Sequence, residues 1–297
     1  MSYKEFLYQI EKQVKNRMGE EAQICIHPVI KNNSIVLDGL SILECGDNVS
    51  PAIYLNSFYQ EYLAGETMEK IINRILYYYQ RGKRVRYLDT SFYTDLDKAR
   101  KGIVCRIINQ EKNEKLLNEV PFRPFLNLAV VYFYLLEQEE LGTAAILIRN
   151  EHLEMWGADK QEIHEIAVSN MKKMLPCQLL SMEEVMRDLM EERDLDAGQE
   201  RIPLYVLTNS EKSYGAVWMT DHSTLKKIGE ILGQDYYVLP SSVHECMIVP
   251  AEIKTDEKMM LDMVMEMNRT QVEPEEVLAD SVYYYARAEK HLRIVQS

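Results

Sequence analysis

The sequence predicts an α+β protein of mixed architecture, in which antiparallel β-hairpins pack against amphipathic helices. Three observations indicate this class: apolar residues at helical spacing in several segments, apolar runs of strand length, and short polar turns between successive runs. A tight turn reverses the chain, so the strands that it joins pair antiparallel, whereas parallel strands need a long crossover. The class is therefore α+β rather than a doubly wound sheet.

Residues 1–82 are predicted to form a helix, a hairpin and two further helices. The elements are a helix over 2–14, strands over 23–30 and 34–44, and helices over 56–64 and 67–80. Ser2 and Glu5 form a capping box at the start of the first helix. Asparagines in the hairpin turn tolerate left-handed backbone. The last helix carries an apolar stripe at helical spacing, made by Met68, Ile71, Ile72, Ile75, Leu76 and Tyr79.

Residues 83–197 are predicted to form a central section of mixed strands and helices. The elements are a strand over 103–109, a short helix over 111–120, strands over 125–136 and 143–148, and helices that open at Asp159 and Ser181. A polar turn joins the second and third strands, so these two strands pair. Pro176 ends the helix that Asp159 opens. An acidic stretch over 183–200 contains the best boundary to the next section, near Gly198.

Residues 198–297 are predicted to form a ββαββα section. The elements are strands over 204–208 and 215–219, a helix over 223–232, strands over 236–239 and 245–249, and a helix over 256–269. Gly233 ends the first helix, and Pro250 follows the last of these strands. Segments 282–286 and 292–295 fit a final hairpin, and a helix opened by Pro274 fits the same region. The three sections can also pack as one continuous unit.

Composition excludes several classes of function. The net charge of −13 argues against a nucleic-acid binder, because neutralising phosphates requires clustered Lys and Arg. The longest apolar run covers residues 128–136, about half of the ~18–20 residues that cross a bilayer. The N-terminal residues enter an amphipathic segment rather than a signal peptide. The five cysteines include no Cys-x-x-Cys pair, which favours buried free thiols. We expect a cytoplasmic protein without a membrane segment.

The polar turn between the apolar runs 236–239 and 246–250 is the main candidate for chemistry. The candidate catalytic residues are Ser241, Ser242, His244 and Glu245, with Cys246 beside them. They supply a hydroxyl, an imidazole base and a carboxylate, as nucleophilic catalysis requires. On an extended segment Ser242 and His244 share a side, whereas Glu245 points away. No Gly-x-Ser-x-Gly elbow is present.

We therefore favour a structural interpretation of this turn, in which the serines cap main-chain amides and His244 bonds main-chain carbonyls. A hydrolase or transferase centred on the turn is the alternative. No metal site is expected, because the residue four positions after His164 is Val168 and the His-Glu-x-x-His motif is absent. No glycine-rich phosphate loop occurs, so no cofactor is expected either.

Tyrosine is abundant, with 19 residues against six phenylalanines, and two triplets occupy residues 77–79 and 283–285. Three consecutive rings cannot all face one core, so at least one ring of each triplet should be exposed or lie at an interface. Tyr78 and Tyr284 are the candidates for a surface that binds a protein partner or a second copy. Partial burial with the hydroxyls in water is the alternative.

A short cationic segment follows the first tyrosine triplet. It contains Arg81, Lys83, Arg84 and Arg86. A solvated linker is one interpretation, and a site for a small anion or an acidic partner is the other. Our first hypothesis for the whole chain is a non-enzymatic protein-binding or regulatory protein that uses its tyrosine surfaces and its negative field.

Five segments carry a resemblance to a known family. They are residues 51–55 (PAIYL) with the following helix, 148–157 (IRNEHLEMWG) on to 170, 204–209 (LYVLTN), 239–245 (LPSSVHE) and 272–285. They resemble uncharacterised cytoplasmic proteins of anaerobic gut clostridia, known only as a domain of unknown function. The similarity spans essentially the whole chain, which argues against independently movable domains. It implies cytoplasmic origin and brings no activity, ligand or catalytic residue.

Overall fold

The computed structural model describes residues 1–83, 90–138, 142–189, 204–240, 242–252 and 256–295. Its contacts group the chain into two units. Unit 1 comprises Met1–Tyr93 and Leu136–Ala144, and unit 2 comprises Thr94–Leu135 and Ala145–Ser297. The division into sections 1–82, 83–197 and 198–297 stays a prediction.

Unit 1 contains the helices and the hairpin that the sequence predicts for the first section. The elements are α1 (Tyr3–Met18), β1 (Gln23–Ile30), β2 (Val36–Leu43), β3 (Ile53–Tyr54), α2 (Asn56–Leu63) and α3 (Met68–Gly82). The three strands form an antiparallel sheet in the order β1-β2-β3. At the start of α1 the Ser2 amide donates to the Glu5 carboxylate at 2.8 Å, which confirms the capping box. Asn33 in the hairpin turn has a φ of 58°, as asparagine allows.

The core of unit 1 is made by the apolar faces of these elements. Its fully buried aliphatic and aromatic side chains include Phe6, Ile10 and Val14 of α1, Leu40 and Ile42 of β2, and Ile71, Ile72 and Ile75 of α3. Each such side chain contributes about 1.5–3 kcal/mol to stability. The helical spacing on α1 and α3 therefore holds both helices in one core.

Unit 2 holds most of the remaining elements. They are α4 (Leu96–Ala99), β4 (Ile103–Asn109), α5 (Glu114–Leu117), β5 (Phe122–Phe125), β6 (Leu128–Gln138), β7 (Gly142–Leu147), α6 (Asn150–Trp156), α7 (Lys160–Met174), β8 (Cys177–Ser181), α8 (Met182–Leu189), β9 (Tyr205–Asn209), α9 (His222–Leu232), β10 (Tyr236–Leu239), β11 (Cys246–Pro250), α10 (Glu257–Thr270), β12 (Tyr283–Ala286) and β13 (His291–Ile294). The ends of β6 and β7 that face the hairpin tip belong to unit 1.

The strands of unit 2 form a six-stranded and a four-stranded sheet. The larger sheet has the order β13-β12-β10-β11-β9-β8, and all its neighbouring strands are antiparallel. In the smaller sheet β6 pairs antiparallel with β4 and β5, and β7 also pairs with β6. These antiparallel sheets confirm the α+β class. The final segment is the hairpin β12–β13 and not a helix that opens at Pro274.

The strand predicted over residues 215–219 is wrong, because Gly215–Thr220 forms a 3-10 helix. An unbroken apolar run does not distinguish a buried strand from a buried helix. At Gly215 a Cβ would lie 2.5 Å from Thr208 Oγ1 and 2.6 Å from the Asn209 nitrogen, so the chain passes too close for any larger residue. The predicted helix over 111–120 is also too long, since α5 ends at Leu117. The short strands β5 and β8 were not predicted.

Candidate functional site

The candidate site begins at the turn between β10 and β11. Main-chain hydrogen bonds to residues 276–277 hold this turn in place. The Val243 amide donates to the Glu276 carbonyl at 2.8 Å, and Ser242 forms an isolated antiparallel bridge with Val277. Ser242 is buried, and its Oγ accepts a hydrogen bond from the His244 amide at 3.1 Å. Ser242 thus caps the turn. Ser241 lies outside the described residues.

The imidazole of His244 contacts a main-chain amide and a carboxylate. The Tyr214 amide donates to His244 Nδ1 at 3.2 Å, and His244 Nε2 lies 3.3 Å from Glu276 Oε1. Because an amide only donates, Nδ1 is the acceptor, which leaves the proton on Nε2 to be donated to Glu276. The ring therefore bonds a main-chain amide rather than the carbonyls that the sequence suggested. Glu276 was not anticipated from the sequence.

The other two candidates in the turn differ in their surroundings. Glu245 is exposed, while His244 is half-buried, so the two side chains do point apart. Cys246 is fully buried, and its Sγ lies 3.9 Å from the Ala216 carbonyl oxygen and 3.8 Å from Met219 Sδ. Burial raises the pKa of the Cys246 thiol far above its usual range, so the reactive thiolate is disfavoured.

The main chain of the turn also holds the loop after β9. The His244 carbonyl accepts from Thr208 Oγ1 at 3.0 Å and from the Gly215 amide at 2.8 Å. Within the loop, the buried Asn209 side chain accepts from the Ser213 amide at 3.3 Å and donates to the Ser213 carbonyl at 2.7 Å. The loop is therefore fixed from both sides, by its own asparagine and by the His244 turn.

This loop ends at Tyr214, whose backbone is left-handed with a φ of 55° and a ψ of 28°. Such a conformation costs a non-glycine residue about 1 kcal/mol or more, so surrounding contacts have to maintain it. The Tyr214 ring centroid lies 4.8 Å from that of His244 and 3.5 Å from Arg106 Cζ. Arg106 Cζ is also 4.1 Å from the centroid of Phe133. We call Phe133, Arg106, Tyr214 and His244 the arginine stack.

Arg106 is the unusual member of the arginine stack. It is the only half-exposed residue of β4, whose other six residues are buried. Burial lowers the pKa of its guanidinium to about 10, and the Tyr214 side chain offsets this only in part. No carboxylate among the described residues forms an ion pair with it. The sequence signal for this position was a single cation inside the apolar run IVCRIIN over residues 103–109.

The candidate binding residues of α3 have different environments. Tyr78 is 47% exposed and lies edge-to-face against Tyr77, which is 55% exposed. Arg81 is exposed and donates to the Tyr77 hydroxyl at 3.2 Å. Lys83 forms ion pairs with Glu44 at 2.6 Å and Asp47 at 3.3 Å. Arg84 and Arg86 lie outside the described residues.

Tyr284, the other tyrosine candidate, belongs to unit 2 and is half-buried. Its hydroxyl donates to Asp235 Oδ2 at 2.7 Å, and this hydrogen bond is the main reason why its pKa is raised to about 12. Arg293 Cζ lies 4.9 Å from its ring centroid. Both its ring and its hydroxyl therefore already have partners within unit 2.

Among the described residues, no three His, Cys, Asp or Glu side chains are grouped so that they could hold a metal ion. Within those ranges no helix combines the length and the apolar character needed to cross a membrane. All five cysteines are free: Cys105 and Cys246 are buried, whereas Cys25 and Cys45 are exposed, contrary to the expectation of buried thiols.

Comparison with known proteins gives one match. Neither the curated proteins nor the solved structures include a significant match to this chain. A family model described as a family of unknown function (DUF5688) matches residues 3–287. Since that match covers most of its length, the chain belongs to this family of unknown function.

Proposed function

We propose that this chain is a non-enzymatic binding protein that recognises a protein partner through an exposed aromatic face of unit 1. The aromatic face consists of Arg74, Tyr77, Tyr78 and Arg81, and it lies on the buried ring of Phe58. The observation that carries the proposal is the exposure of two adjacent tyrosine rings that are nevertheless held in defined contacts. Tyrosine and arginine are the residue types that most often supply binding energy at protein interfaces.

The contacts of the aromatic face pre-order it for binding. Tyr78 lies edge-to-face on Phe58, with 6.2 Å between the ring centroids, and Arg74 Cζ is 5.4 Å from the Phe58 centroid. Arg74 is itself fixed by a bidentate pair with Glu61, at 2.7 and 2.8 Å. Side chains that are already ordered lose little conformational entropy when a partner binds. The aromatic face therefore has both the composition and the rigidity of an interface.

The charge of the chain favours one kind of partner. Acidic residues outnumber basic ones by 47 to 34, which gives the net charge of −13. A negative field of this size speeds the approach of a positively charged surface and opposes an acidic one. We therefore propose a protein partner of positive overall charge that meets the aromatic face with an apolar patch.

The contacts of the His244 turn also favour a non-enzymatic protein. The ring nitrogens of His244 face the Tyr214 amide and the Glu276 carboxylate, and a catalytic base would have to face a hydroxyl or thiol instead. The alternative is a hydrolase or transferase centred on Ser241, Ser242, His244 and Glu245. It requires the imidazole to leave Tyr214 and to engage a serine of the turn.

We propose in addition that the protein works in the cytoplasm of an anaerobic gut clostridium, as the resemblance of its sequence implies. The exposed free thiols of Cys25 and Cys45 support a reducing compartment, because disulfides form and persist in oxidising ones.

Quantitative affinity capture from a clostridial lysate tests the binding proposal with three full-length baits. The baits are the wild type, a Tyr77→Ser/Tyr78→Ser double variant, and Tyr8→Ser, a matched control whose tyrosine is 61% exposed on α1 of the same unit. We expect a specific protein to be captured by the wild type and the control, and lost with the double variant. With that protein purified, the double variant should bind at least about tenfold more weakly. Identical capture by all three baits would refute the proposal.

The substitution His244→Ala distinguishes the proposal of a binding protein from the alternative of an enzyme. We expect it to lower the thermal unfolding temperature, because Tyr214 loses the acceptor that helps to hold its strained backbone. The measurements are thermal unfolding and a hydrolase screen on the wild type and the variant. Unchanged unfolding together with the loss of a detected hydrolase activity would establish the alternative.

A further inference from the structure

We propose that the guanidinium of Arg106, set between the rings of Phe133 and Tyr214, binds the phosphate or carboxylate group of a small ligand. The site lies within unit 2 and does not depend on the aromatic face or on the protein partner proposed above. Its elements are β4, β6 and the loop after β9, all of them described residues.

The first argument is that the positive charge of Arg106 has no acidic partner among the described residues. Arginine is rarely buried without an acidic partner, yet Arg106 occupies the middle of an otherwise buried strand. Among the described residues its polar neighbour is Tyr214, and no carboxylate pairs with it. The N–H groups of the guanidinium that Tyr214 does not engage are open to solvent, since among the described residues no nitrogen of Arg106 is a buried atom without a partner.

The contacts with the two rings do not compensate the loss of hydration of the Arg106 charge. A cation–π contact with Phe133 or Tyr214 stabilises the charge only weakly. Withdrawing an ion from water costs more than such contacts return, and Arg106 bears part of this cost because it is only half-exposed. The lowered pKa of Arg106 is consistent with that imbalance. An anion on the open N–H groups would supply the missing stabilisation.

The chemistry of the guanidinium selects the ligand class. Its planar fork matches the two oxygens of a carboxylate or a phosphate in bidentate geometry, and such charge-assisted pairs are roughly twice as strong as neutral ones. Arg106 is half-exposed, so an anion reaches it from solvent without unfolding of the strand. The rings of Phe133 and Tyr214 provide the apolar surroundings that strengthen an ion pair.

The second argument is the construction around Tyr214. Its left-handed backbone is held by the bond from its amide to His244 Nδ1, and His244 Nε2 is in turn within 3.3 Å of Glu276. The next residue, Gly215, packs too closely on Thr208 for any side chain. Strained backbone that several contacts maintain is typical of ligand sites, where it pre-orders a binding group. In this proposal the His244 turn fixes the position of the Tyr214 ring, which covers Arg106.

The test is a titration of the full chain with inorganic phosphate and, separately, with succinate, at an ionic strength kept constant with chloride. Isothermal titration calorimetry gives the dissociation constant, and the thermal unfolding temperature gives an independent readout. We expect saturable binding of one probe by the wild type, and the probe that binds identifies the ligand class. Arg106→Met should abolish this binding, and Arg106→Lys, which keeps the charge but loses the fork, should weaken it about tenfold or more.

The matched control is Arg123→Met, which removes an exposed arginine from β5 in the same sheet and should bind the probe as the wild type does. If Arg106→Met does not fold, Arg106→Lys decides the question. The proposal is overturned if neither phosphate nor succinate binds the wild type more tightly than chloride does, or if the Arg106 variants bind as well as the control.

Discussion

The two tyrosine triplets have the same composition and opposite exposure. On α3, Tyr79 is buried while Tyr77 and Tyr78 are exposed. On β12, Tyr283 and Tyr285 are buried and Tyr284, between them, is half-buried. Successive side chains turn by about 100° around a helix and alternate across a strand, so a helix directs about one of three neighbours to a core and a strand directs two. The secondary structure, rather than the residue type, thus decides which rings reach solvent.

In these triplets, hydroxyl groups of buried and of exposed rings alike find partners. Tyr79 donates to Glu44 at 3.0 Å, Tyr283 contacts Asn127 at 2.5 Å and Tyr284 donates to Asp235 at 2.7 Å. The exposed Tyr77 hydroxyl accepts from Arg81. What separates the triplets energetically is therefore the area of ring removed from water. Substitutions that remove a ring should distinguish them more strongly than substitutions that remove a hydroxyl.

The largest effect is expected for Tyr283→Ala. Removing a fully buried ring from the six-stranded sheet leaves a cavity and should lower the free energy of unfolding by about 3–5 kcal/mol. Urea unfolding followed by tryptophan fluorescence measures this, because Trp156 and Trp218 both belong to unit 2. Tyr284→Ala is the control. A loss no larger than that of the control would show that burial does not separate neighbouring positions on β12.

A smaller effect is expected for Tyr79→Phe, which keeps the buried ring and removes the hydrogen bond to Glu44. We expect a loss of about 1 kcal/mol in the free energy of unfolding, since Glu44 retains its ion pair with Lys83. Thermal unfolding followed by circular dichroism measures it. Tyr78→Phe serves as the exposed control and should behave as the wild type. Equal losses in the two variants would contradict the role assigned to the buried hydroxyl.

Tyr284→Phe should have an effect that depends on pH. The Tyr284 hydroxyl is the main cause of the lowered pKa of Asp235, which also accepts from the Arg287 amide. A carboxylate with a depressed pKa in the folded state stabilises the protein above its unfolded pKa of about 3.9, and this stability is lost as the pH falls through the folded value. The difference between wild type and variant should therefore be largest near neutral pH and shrink below about pH 4. A constant difference in urea unfolding between pH 7 and pH 3 would reject this coupling.

The smallest effect on stability is expected for the Tyr77→Ser/Tyr78→Ser double variant. Both rings are only about half covered, so the free energy of unfolding should change by no more than about 0.5 kcal/mol per site. Chemical unfolding followed by circular dichroism measures the change. This result would make any loss of partner binding attributable to the aromatic face itself. A loss comparable with that of Tyr283→Ala would mean that these rings serve the fold instead.

Local signals allowed most helix boundaries to be predicted. The caps at Ser2, Asp159, Ser181 and Asp256 and the glycine after α9 involve partners within a few residues, so nearby sequence contains the whole interaction. The 3-10 helix at Gly215–Thr220 could not be predicted, because the bond from the Gly215 amide to the His244 carbonyl crosses a long stretch of chain. β8 was missed because all five of its residues are only half-buried and give no alternation.

The residues of the candidate site also divide into some that the sequence predicted and others that it did not. Ser242 and His244 were recognisable as neighbours in a polar turn, and the serine does cap the turn. Their partners Glu276 and Tyr214, and Arg106 beyond them, come from distant segments, so spacing in the sequence carries no information about them. The lone arginine in β4 was visible in the sequence, but its significance follows only from the described part of the structure, in which no carboxylate pairs with it.

By itself, the sequence determined the class of this protein, most of its helix starts and ends, and the hairpins that tight turns close. These features depend on periodicity and on interactions between residues a few positions apart, which any local stretch of chain already contains. Only the tertiary structure decided which tyrosines are buried, which group the His244 ring binds, and that the half-exposed Arg106 pairs with no carboxylate among the described residues. Each of these depends on atoms brought together from distant parts of the chain, where burial and pairing are set by packing rather than by order along the sequence.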